Sequence, residues 1–273
     1  SMASKIASCG KYLTSPYIGS DGALRVVSLE TAEVFRVSDD GTCTLEFSCG
    51  SSPNCVATDS EGVSYCCDFA YRCVLTTDGS GQWTEFVKEY EEKQFQGPNT
   101  LITDSQGSIY FTDSGPVGET SLQNPRGSLF LVQAQSEILV PLAYENLAYP
   151  SGLALSADES TLYVAETCAN RILRFVQSPS GVFVSSIFVQ LAGMFGPTAL
   201  CCDHLGNVYV ARFDFVSASG MGVVSAYSPM GELLQHWEVE GSQVTGLCLS
   251  ADKTAIIVTE GSNNAVYSIN INA

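Results

Sequence analysis

Charged side chains are scarce in this chain, and basic ones are the scarcest. Asp, Glu, Lys and Arg make up 15% of the 273 residues, and 12 Lys and Arg stand against 29 Asp and Glu, for a formal net charge of −17. Nucleic acids and anionic membranes are bound largely by Lys and Arg that neutralise phosphate. The composition argues against both as partners and favours neutral, cationic or metal-bound ligands, although acids also keep a protein of low charge content in solution.

Long apolar runs are also missing. No run approaches the roughly 20 residues that span a membrane, and the first residues, SMASKIASCG, lack the apolar core of a signal peptide. The chain has no Asn-x-Ser/Thr glycosylation acceptor. We expect a cytoplasmic or nuclear protein without a membrane segment.

Histidine is nearly absent, with only His204 and His236, and no two cysteines have Cys-x-x-Cys spacing. A tetrahedral zinc site needs four nitrogen or sulfur ligands, so none is expected. The 11 cysteines are odd in number, and most fall within predicted strands. We expect reduced thiols that serve as small apolar residues, which agrees with an intracellular location.

What the chain does have is a phrase that recurs about every 45 residues, a period typical of propeller blades when the content is β-type. An apolar entry leads into a short apolar run, an Asp- and Gly-bearing turn, and a β-rich run that ends in a polar residue. The copies read SPYIGSDGALRVVSLE from Ser15, PNCVATDSEGVSYCCD from Pro53, PNTLITDSQGSIYFTD from Pro98, PSGLALSADESTLYVAE from Pro150, PTALCCDHLGNVYVAR from Pro197 and VTGLCLSADKTAIIVTE from Val244.

Each copy divides into four strands, which in the fourth copy are SGLALS, TLYVAET, RILRFVQ and VSSIFVQL. The sixth copy ends after its third strand, AVYSINI, so we expect the N-terminal SKIASCGKYL to supply the missing outer strand and close the ring. The prediction is one all-β unit over residues 1–273, a six-bladed β-propeller with four antiparallel strands per blade. Its blades start near residues 15, 53, 98, 150, 197 and 244.

Propeller geometry brings two sets of polar residues together. The first strand of a blade lines the central channel and is antiparallel to the second, so the start of one and the end of the other lie on the same face. The expected ring at one channel mouth consists of Asn54, Asn99, Ser151, Thr198 and Thr245 at strand starts and of Asp68, Asp113, Glu166, Arg212 and Glu260 at strand ends. Such a ring predicts binding of a hard cation or a small polar molecule. The alternative is that these residues cap turns through nearby backbone N–H groups.

Two segments interrupt the repeat. Residues 88–96 form a charged connection between the second and third blades, and residues 114–127 form a long insert after Asp113. Long loops are often functional, but they also tolerate length variation at little thermodynamic cost. The second insert has the position of a lid over the channel mouth.

Four longer phrases are GPNTLITDSQGSIYFTDSG from Gly97, YPSGLALSADESTLYVAETCANRILRF from Tyr149, GPTALCCDHLGNVYVAR from Gly196 and VTEGSNNAVYSI from Val258. They resemble the six-bladed propellers of the gluconolactonase, senescence-marker-protein (regucalcin) and strictosidine-synthase-like superfamily, over nearly the whole chain. Metal-dependent hydrolases of that superfamily hold Ca²⁺ or Zn²⁺ in the channel with a Glu of blade one, and with two Asn and one Asp at strand starts.

Carried over by position, one of these metal ligands is retained, as Asn99. The second Asn falls on Ser151, the Asp on Thr198, and the Glu on Thr14 or Ser15. Hydroxyl groups bring no charge to offset the desolvation of a cation. The resemblance thus implies a divalent cation as cofactor, while the substitutions argue against the standard site.

Three functions follow. The first is a propeller that binds a small polar molecule or a protein at the channel mouth, with altered or lost metallohydrolase activity. The second is a lactonase or esterase with a rebuilt metal site that uses Asn99, Asp113, Glu166 and Glu260. The third is metal-independent acid/base chemistry by Glu166 or Glu260, similar to that of strictosidine-synthase-like members, with Arg212 orienting an anionic group. In each case we expect a monomer.

Overall fold

The strands of the chain form six four-stranded antiparallel sheets, each of which is one blade of a propeller. The computed structural model describes residues 1–193, 195–214 and 220–272. Within these ranges the only helical element is a single 3-10 turn at Thr167–Ala169. The prediction of an all-β, six-bladed propeller with four strands per blade is confirmed. No helix in the described ranges has the length and apolar character needed to cross a membrane.

The strands follow one another blade by blade. In chain order they are β1 (Ser4–Ser8); β2 (Leu13–Ile18), β3 (Leu24–Ser28), β4 (Glu33–Val37) and β5 (Cys43–Ser48) of blade 1; β6 (Pro53–Thr58), β7 (Ser64–Asp68), β8 (Cys73–Thr77) and β9 (Thr84–Val87) of blade 2; the hairpin strands β10 (Glu89–Tyr90) and β11 (Lys93–Gln94); β12 (Pro98–Thr103), β13 (Ile109–Asp113), β14 (Gly127–Val132) and β15 (Leu139–Leu147) of blade 3; β16 (Pro150–Leu155), β17 (Thr161–Glu166), β18 (Arg171–Gln177) and β19 (Phe183–Gln190) of blade 4; β20 (Phe195–Cys202), β21 (Val208–Asp214), β22 (Met221–Tyr227) and β23 (Leu233–Glu240) of blade 5; and β24 (Val244–Leu249), β25 (Ala255–Glu260) and β26 (Ala265–Asn270) of blade 6.

The turn between the first two strands of a blade explains the Asp and Gly of the repeat phrase. In blade 2, Asp59 Oδ1 accepts hydrogen bonds from the N–H groups two and four residues further on, and Gly62 follows with a φ of +85°. Asp104 and Asp203 make the same pair of bonds in blades 3 and 5. A short acceptor followed by Gly at positive φ makes a tight turn, so the phrase marks a hairpin.

The apolar core lies between the faces of neighbouring blades. Between blades 2 and 3, for example, Cys55 and Cys67 pack in one cluster with Leu101, Phe111 and Phe130. All eleven cysteines carry free thiols, as expected, and those that are buried are Cys49, Cys55, Cys66, Cys67, Cys73 and Cys201.

Strand β1 completes blade 6. It pairs antiparallel with β26, from Ser4 opposite Ser268 to Ser8 opposite Ala265. Ala7 of this strand is buried in an apolar cluster that contains residues of blades 1 and 6. The prediction that an N-terminal strand closes the ring is therefore confirmed.

We predict that placing a charge on the buried face of β1 destabilises the ring. Ala7→Glu should lower the free energy of unfolding by about 2–4 kcal/mol, because an unpaired carboxylate enters an apolar cluster. Ser4→Glu introduces the same residue at an exposed position of the same strand and should change it by no more than about 0.5 kcal/mol. Denaturant unfolding measures both variants, and equal losses would contradict the role given to β1.

Candidate binding site at the channel mouth

Each of the six first strands contributes one polar residue to the mouth of the channel. In five blades this residue follows the one that pairs with the last residue of the second strand. In blade 5, Thr198 follows Pro197, which pairs with Arg212, two residues before the end of β21. All six line one cavity of about 250 Å³, the mouth cavity, and together form what we call the mouth ring: Thr14, Asn54, Asn99, Ser151, Thr198 and Thr245.

Thr14 is missing from the sequence-based ring because the repeat phrase predicts the first blade to start at Ser15. In the structure, Leu13 pairs with the end of β3 as Pro150 pairs with the end of β17, which makes Thr14 the equivalent of Ser151. The parallel between Tyr-Leu-Thr in the first copy and Tyr-Pro-Ser in the fourth is the sequence signal that places this start correctly.

Side chains in and beside the mouth ring join every pair of neighbouring blades by a hydrogen bond to a main-chain carbonyl. At four junctions a residue of the mouth ring is the donor, and at two it is a Thr on an adjacent segment. The bonds are Thr14 Oγ1 to Asn54 O (3.2 Å), Asn54 Nδ2 to Asn99 O (2.9 Å), Thr112 Oγ1 to Ser151 O (2.7 Å), Thr167 Oγ1 to Pro197 O (2.7 Å), Thr198 Oγ1 to Val244 O (2.9 Å) and Thr245 Oγ1 to Leu13 O (2.6 Å).

These bonds determine what the mouth ring can offer a ligand. A hydroxyl group has one hydrogen and two lone pairs. Thr14, Thr198 and Thr245 commit that hydrogen to a carbonyl. Towards a ligand they therefore act as uncharged hydrogen-bond acceptors.

The structure corrects the expectation that the strand-end acids face the channel. All four are buried, and none of them lines the mouth cavity. Each accepts backbone N–H groups of the segment that enters its own blade: Asp68 from Ser51 and Ser52, Asp113 from Gln96 and Gly97, Glu166 from Ala148, and Glu260 from Gln243. This arrangement matches the alternative stated for these residues, in which they cap turns through nearby backbone N–H groups.

In the two blades that have no acid at this position, the equivalent residue also binds the main chain of the entering segment. In blade 5, Arg212 Nη2 donates to the carbonyl of Ala192, and burial lowers the pKa of this guanidinium. In blade 1, the Ser28 hydroxyl accepts from the N–H of Lys11 at 2.8 Å and contacts its carbonyl at 3.1 Å. The residue at this position of the second strand thus binds the entering segment in every blade.

Two of the acids have further features. Glu166 also accepts a hydrogen bond from Nε of Arg171 at 2.6 Å. Burial raises the pKa of Asp113, although two N–H groups stabilise its charged form. Ligand binding by Asp68, Asp113 and Arg212 and catalysis by Glu166 and Glu260 stay predictions that this placement does not support.

Two tyrosines that the sequence analysis did not single out contribute to the wall of the mouth cavity. Tyr12 and Tyr149 directly precede the first strands of blades 1 and 4, which lie opposite each other in a ring of six, and both have a φ of +59°. Burial raises the pKa of each hydroxyl to about 12. The Tyr12 ring lies against Gly261, where a Cβ would approach it to 2.7 Å.

Apolar side chains complete this wall. They are Leu29, Phe69, Pro116, Val117 and Phe213. Pro116 and Val117 belong to the 114–127 insert, whose expected position over the mouth agrees with this contact. Of the described residues that line the mouth cavity, none carries a charge.

The channel continues beyond the mouth ring as a second cavity of about 360 Å³, which is lined by first strands of all six blades. The two cavities share Thr14, Asn54, Thr198 and Thr245. The mouth ring therefore forms a polar girdle between the mouth cavity and the rest of the channel.

A sequence model described as SMP-30/Gluconolactonase/LRE-like region matches residues 15–271. The chain belongs to this family. The lactonase drp35 of Staphylococcus haemolyticus is 28% identical over 255 residues, which cover 88% of this chain and 74% of that relative. The resemblance found in the repeat phrases is confirmed.

Solved structures share the fold. A gluconolactonase of Xanthomonas campestris superposes with a TM-score of 0.82 at 23% identity, covering 97% of this chain and 88% of its own. A calcium-binding protein, regucalcin, of Agrobacterium tumefaciens superposes with a TM-score of 0.77 at 18% identity, covering 98% and 95%. At these identities the likeness establishes the architecture alone.

The positions at which the family resemblance implies metal ligands do meet in the mouth cavity, as Thr14, Asn99, Ser151 and Thr198. Ser15, the alternative to Thr14, instead bonds the main chain of Val56. Divalent cations are held in proteins by sets that include carboxylates, imidazoles or thiolates, whereas these four positions offer one amide and three hydroxyls. Nowhere in the described ranges do three His, Cys, Asp or Glu residues come together as a metal site. The residues present do not fit a divalent cation.

We predict that Asp68 stabilises the fold through its carboxylate. Four backbone N–H groups donate to its two oxygens, two to each. In Asp68→Asn one oxygen becomes an NH₂ group, so two of these N–H groups would face a donor. The free energy of unfolding should therefore fall by about 2–3 kcal/mol. The exposed Asp40 accepts one turn N–H, and Asp40→Asn should cost about 0.5 kcal/mol or less. Thermal or denaturant unfolding compares the two, and a silent Asp68→Asn would contradict the capping role.

Proposed function

We propose that the protein binds a small uncharged molecule in the mouth cavity, between Tyr12 and Tyr149 and above the mouth ring. The observation that carries the proposal is the lining, which combines aromatic and apolar walls with an uncharged polar floor. Concave sites of this composition are the usual places for small ligands. Their concave shape favours a small molecule over a protein surface as the occupant.

Electrostatics favour a neutral ligand. A bound anion would need Arg or Lys to offset its desolvation, and a bound cation would need carboxylates. The nearby acids are engaged by backbone N–H groups and do not line the mouth cavity. A neutral molecule leaves no charge uncompensated in such a site.

The cavity offers complementary hydrogen-bonding groups. The mouth-ring threonines act as acceptors, as argued above. Because the pKa of Tyr12 and of Tyr149 is about 12, both hydroxyls are protonated at neutral pH and can donate. A neutral ring compound that carries both hydroxyl and carbonyl oxygens would match this set.

The backbone of the two tyrosines supports a ligand-clamping role. A bulky residue at positive φ costs of the order of 1–2 kcal/mol, and such strain is concentrated at ligand clamps and active sites. The equivalent residue in three of the other blades is Ser or Gly: Ser52, Gly97 and Gly196. Large aromatic side chains in this conformation occur at this position only in the two opposite blades, 1 and 4.

Hydrolysis of a lactone is the second candidate function. It is supported by the similarity to the lactonase drp35 over most of the chain, and a lactone is itself an uncharged ring of the kind that the mouth cavity suits. The donor set at the mouth ring does not support a metal-dependent form of this reaction, and the placement of Glu166 and Glu260 away from the cavity lining does not support their action as acid or base.

We predict that ligand binding depends on the two tyrosines. A panel of uncharged γ- and δ-lactones and polyols, screened by thermal shift and measured by calorimetry, should yield a ligand whose affinity falls about tenfold or more in Tyr12→Ala and in Tyr149→Ala, about 1.4 kcal/mol. Tyr71→Ala is the control, since Tyr71 is exposed and outside the mouth cavity. Equal affinities in all three variants would place binding elsewhere.

We also predict that Ca²⁺, Mg²⁺, Mn²⁺ and Zn²⁺ leave the unfolding temperature of the metal-stripped protein unchanged. The variant Thr14→Glu/Ser151→Asn/Thr198→Asp, which adds two carboxylates beside Asn99, should instead be stabilised by about 2.7 kcal/mol at a hundred times the dissociation constant of a bound cation.

The matched control carries Thr14→Gln, Ser151→Asn and Thr198→Asn, which change size similarly without charge and should not respond. A cation-dependent shift in the unmodified protein, lost in Asn99→Ala and accompanied by lactone turnover, would contradict the metal-free proposal and favour the hydrolase.

A further inference from the structure

Cys9 and Cys43 meet at the seam where the ring closes. Cys9 follows β1, which completes blade 6, and Cys43 begins β5, the outer strand of blade 1. Both side chains are partly buried and pack against one apolar cluster, which includes Leu13 of blade 1 and Val266 of blade 6. One cysteine from each side of the seam thus lies in the same cluster.

The main chain on the two sides of the seam is also in contact. Gly41, in the turn before β5, lies so close to β1 that a Cβ there would approach the carbonyl oxygen of Ile6 to 2.5 Å. The Cys43 thiol lies 3.8 Å from the Gly41 carbonyl, and the N–H of Cys9 donates to the carbonyl of Asn264 at 3.1 Å. Ordered backbone therefore holds both cysteines in place.

The two thiols are neighbours. Burial, together with the proximity of Cys43, raises the pKa of Cys9, so the Cys9 thiol is protonated at neutral pH. Because both side chains pack against one cluster and Gly41 lies against Ile6, side-chain movement can bring the two sulfurs to the S–S bond length of about 2.05 Å.

We propose that Cys9 and Cys43 form a reversible disulfide that fastens the closing strand β1 to blade 1. The oxidant is a small-molecule disulfide such as oxidised glutathione. One cysteine thiolate attacks it and releases one glutathione thiol, and the second cysteine then attacks the mixed disulfide and releases the other. Two protein thiols and one oxidised glutathione become one protein disulfide and two reduced glutathiones.

A second pair of neighbouring thiols provides an internal comparison. Cys49 and Cys66 also lie together in one apolar cluster, but both residues are 0% exposed. An oxidant of the size of glutathione cannot reach them in the folded protein. Solvent access therefore selects the Cys9–Cys43 pair, and Cys49 and Cys66 stay reduced while the fold is intact.

The bond would strengthen a seam that is otherwise non-covalent. Strand β1 is attached to the ring by its pairing with β26, which a register shift between Lys5 and Ala7 interrupts, and by main-chain bonds of Ser1 and Ala3 to Glu238. A disulfide from Cys9 to Cys43 closes a loop in the unfolded chain and lowers its entropy. Oxidation should therefore make opening of the seam harder.

The test uses the folded full-length protein, incubated with oxidised glutathione, alkylated, digested without reductant and analysed by mass spectrometry. We expect a Cys9–Cys43 linked peptide in the unmodified protein and in Cys168→Ser, which removes an exposed cysteine. We expect none in Cys9→Ser or Cys43→Ser. The oxidised unmodified protein should unfold at a higher temperature, and dithiothreitol should reverse this gain.

Three results would overturn the proposal. The first is glutathione adducts on Cys9 or Cys43 without a linked peptide. The second is a Cys49–Cys66 link formed as readily as the Cys9–Cys43 link, which would mean that oxidation follows unfolding. The third is a Cys9–Cys43 link that leaves the unfolding temperature unchanged, which would show that the bond does not strengthen the seam. The first two readings come from the unmodified protein and do not depend on how well a variant folds.

Discussion

Hydrogen bonds from side chains around the channel to main-chain carbonyls join each blade to the next, and the rest of the structure depends on them. A blade is a small sheet that cannot bury both faces alone, so it is stable only between its neighbours. The apolar clusters between blades supply most of the burial, but they do not fix how far one first strand lies from the next. The six bonds from Thr14 to Thr245 do so around the channel. A second layer of bonds, made by Asp68 and its counterparts, holds the segment that enters each blade.

This architecture bears directly on function, because the same positions serve both. The family resemblance implies carboxylate metal ligands, a Glu and an Asp, at the positions where this chain has Thr14 and Thr198. A carboxylate only accepts hydrogen bonds, whereas a hydroxyl both donates and accepts. Thr14 and Thr198 use that donor to link blades 1 to 2 and 5 to 6. Exchanging carboxylates for hydroxyls at these positions therefore removes the charge that a cation needs and adds two inter-blade bonds. The mouth that results is uncharged, and its tyrosines and apolar walls suit a neutral molecule.

Prediction from the sequence succeeded where structure depends on neighbours along the chain. The repeat phrase marks the strands and the Asp-Gly turns, and the register of each hairpin then places Asn54, Asn99, Ser151, Thr198 and Thr245 at one mouth. It failed for the strand-end acids. Whether Glu166 or Glu260 points into the channel or towards the entering segment depends on the path of a loop that brings N–H groups within 2.8–3.0 Å. The omission of Thr14 has a different cause, since the first copy of the phrase is degenerate and only the residues Tyr-Leu-Thr before it, which parallel Tyr-Pro-Ser of the fourth copy, mark the start of the strand.

The sequence by itself determined the number of blades, their four-strand pattern and closure by an N-terminal strand, because period, alternation and turn residues are local properties written in every copy. Only the tertiary structure decided which polar groups are free to meet a ligand. It also brought Tyr12 and Tyr149 together from opposite blades and placed Cys9 and Cys43 against one apolar cluster at the seam. These contacts join residues far apart in the chain, and their geometry follows from how six blades close into a ring. No local pattern of residues records these contacts.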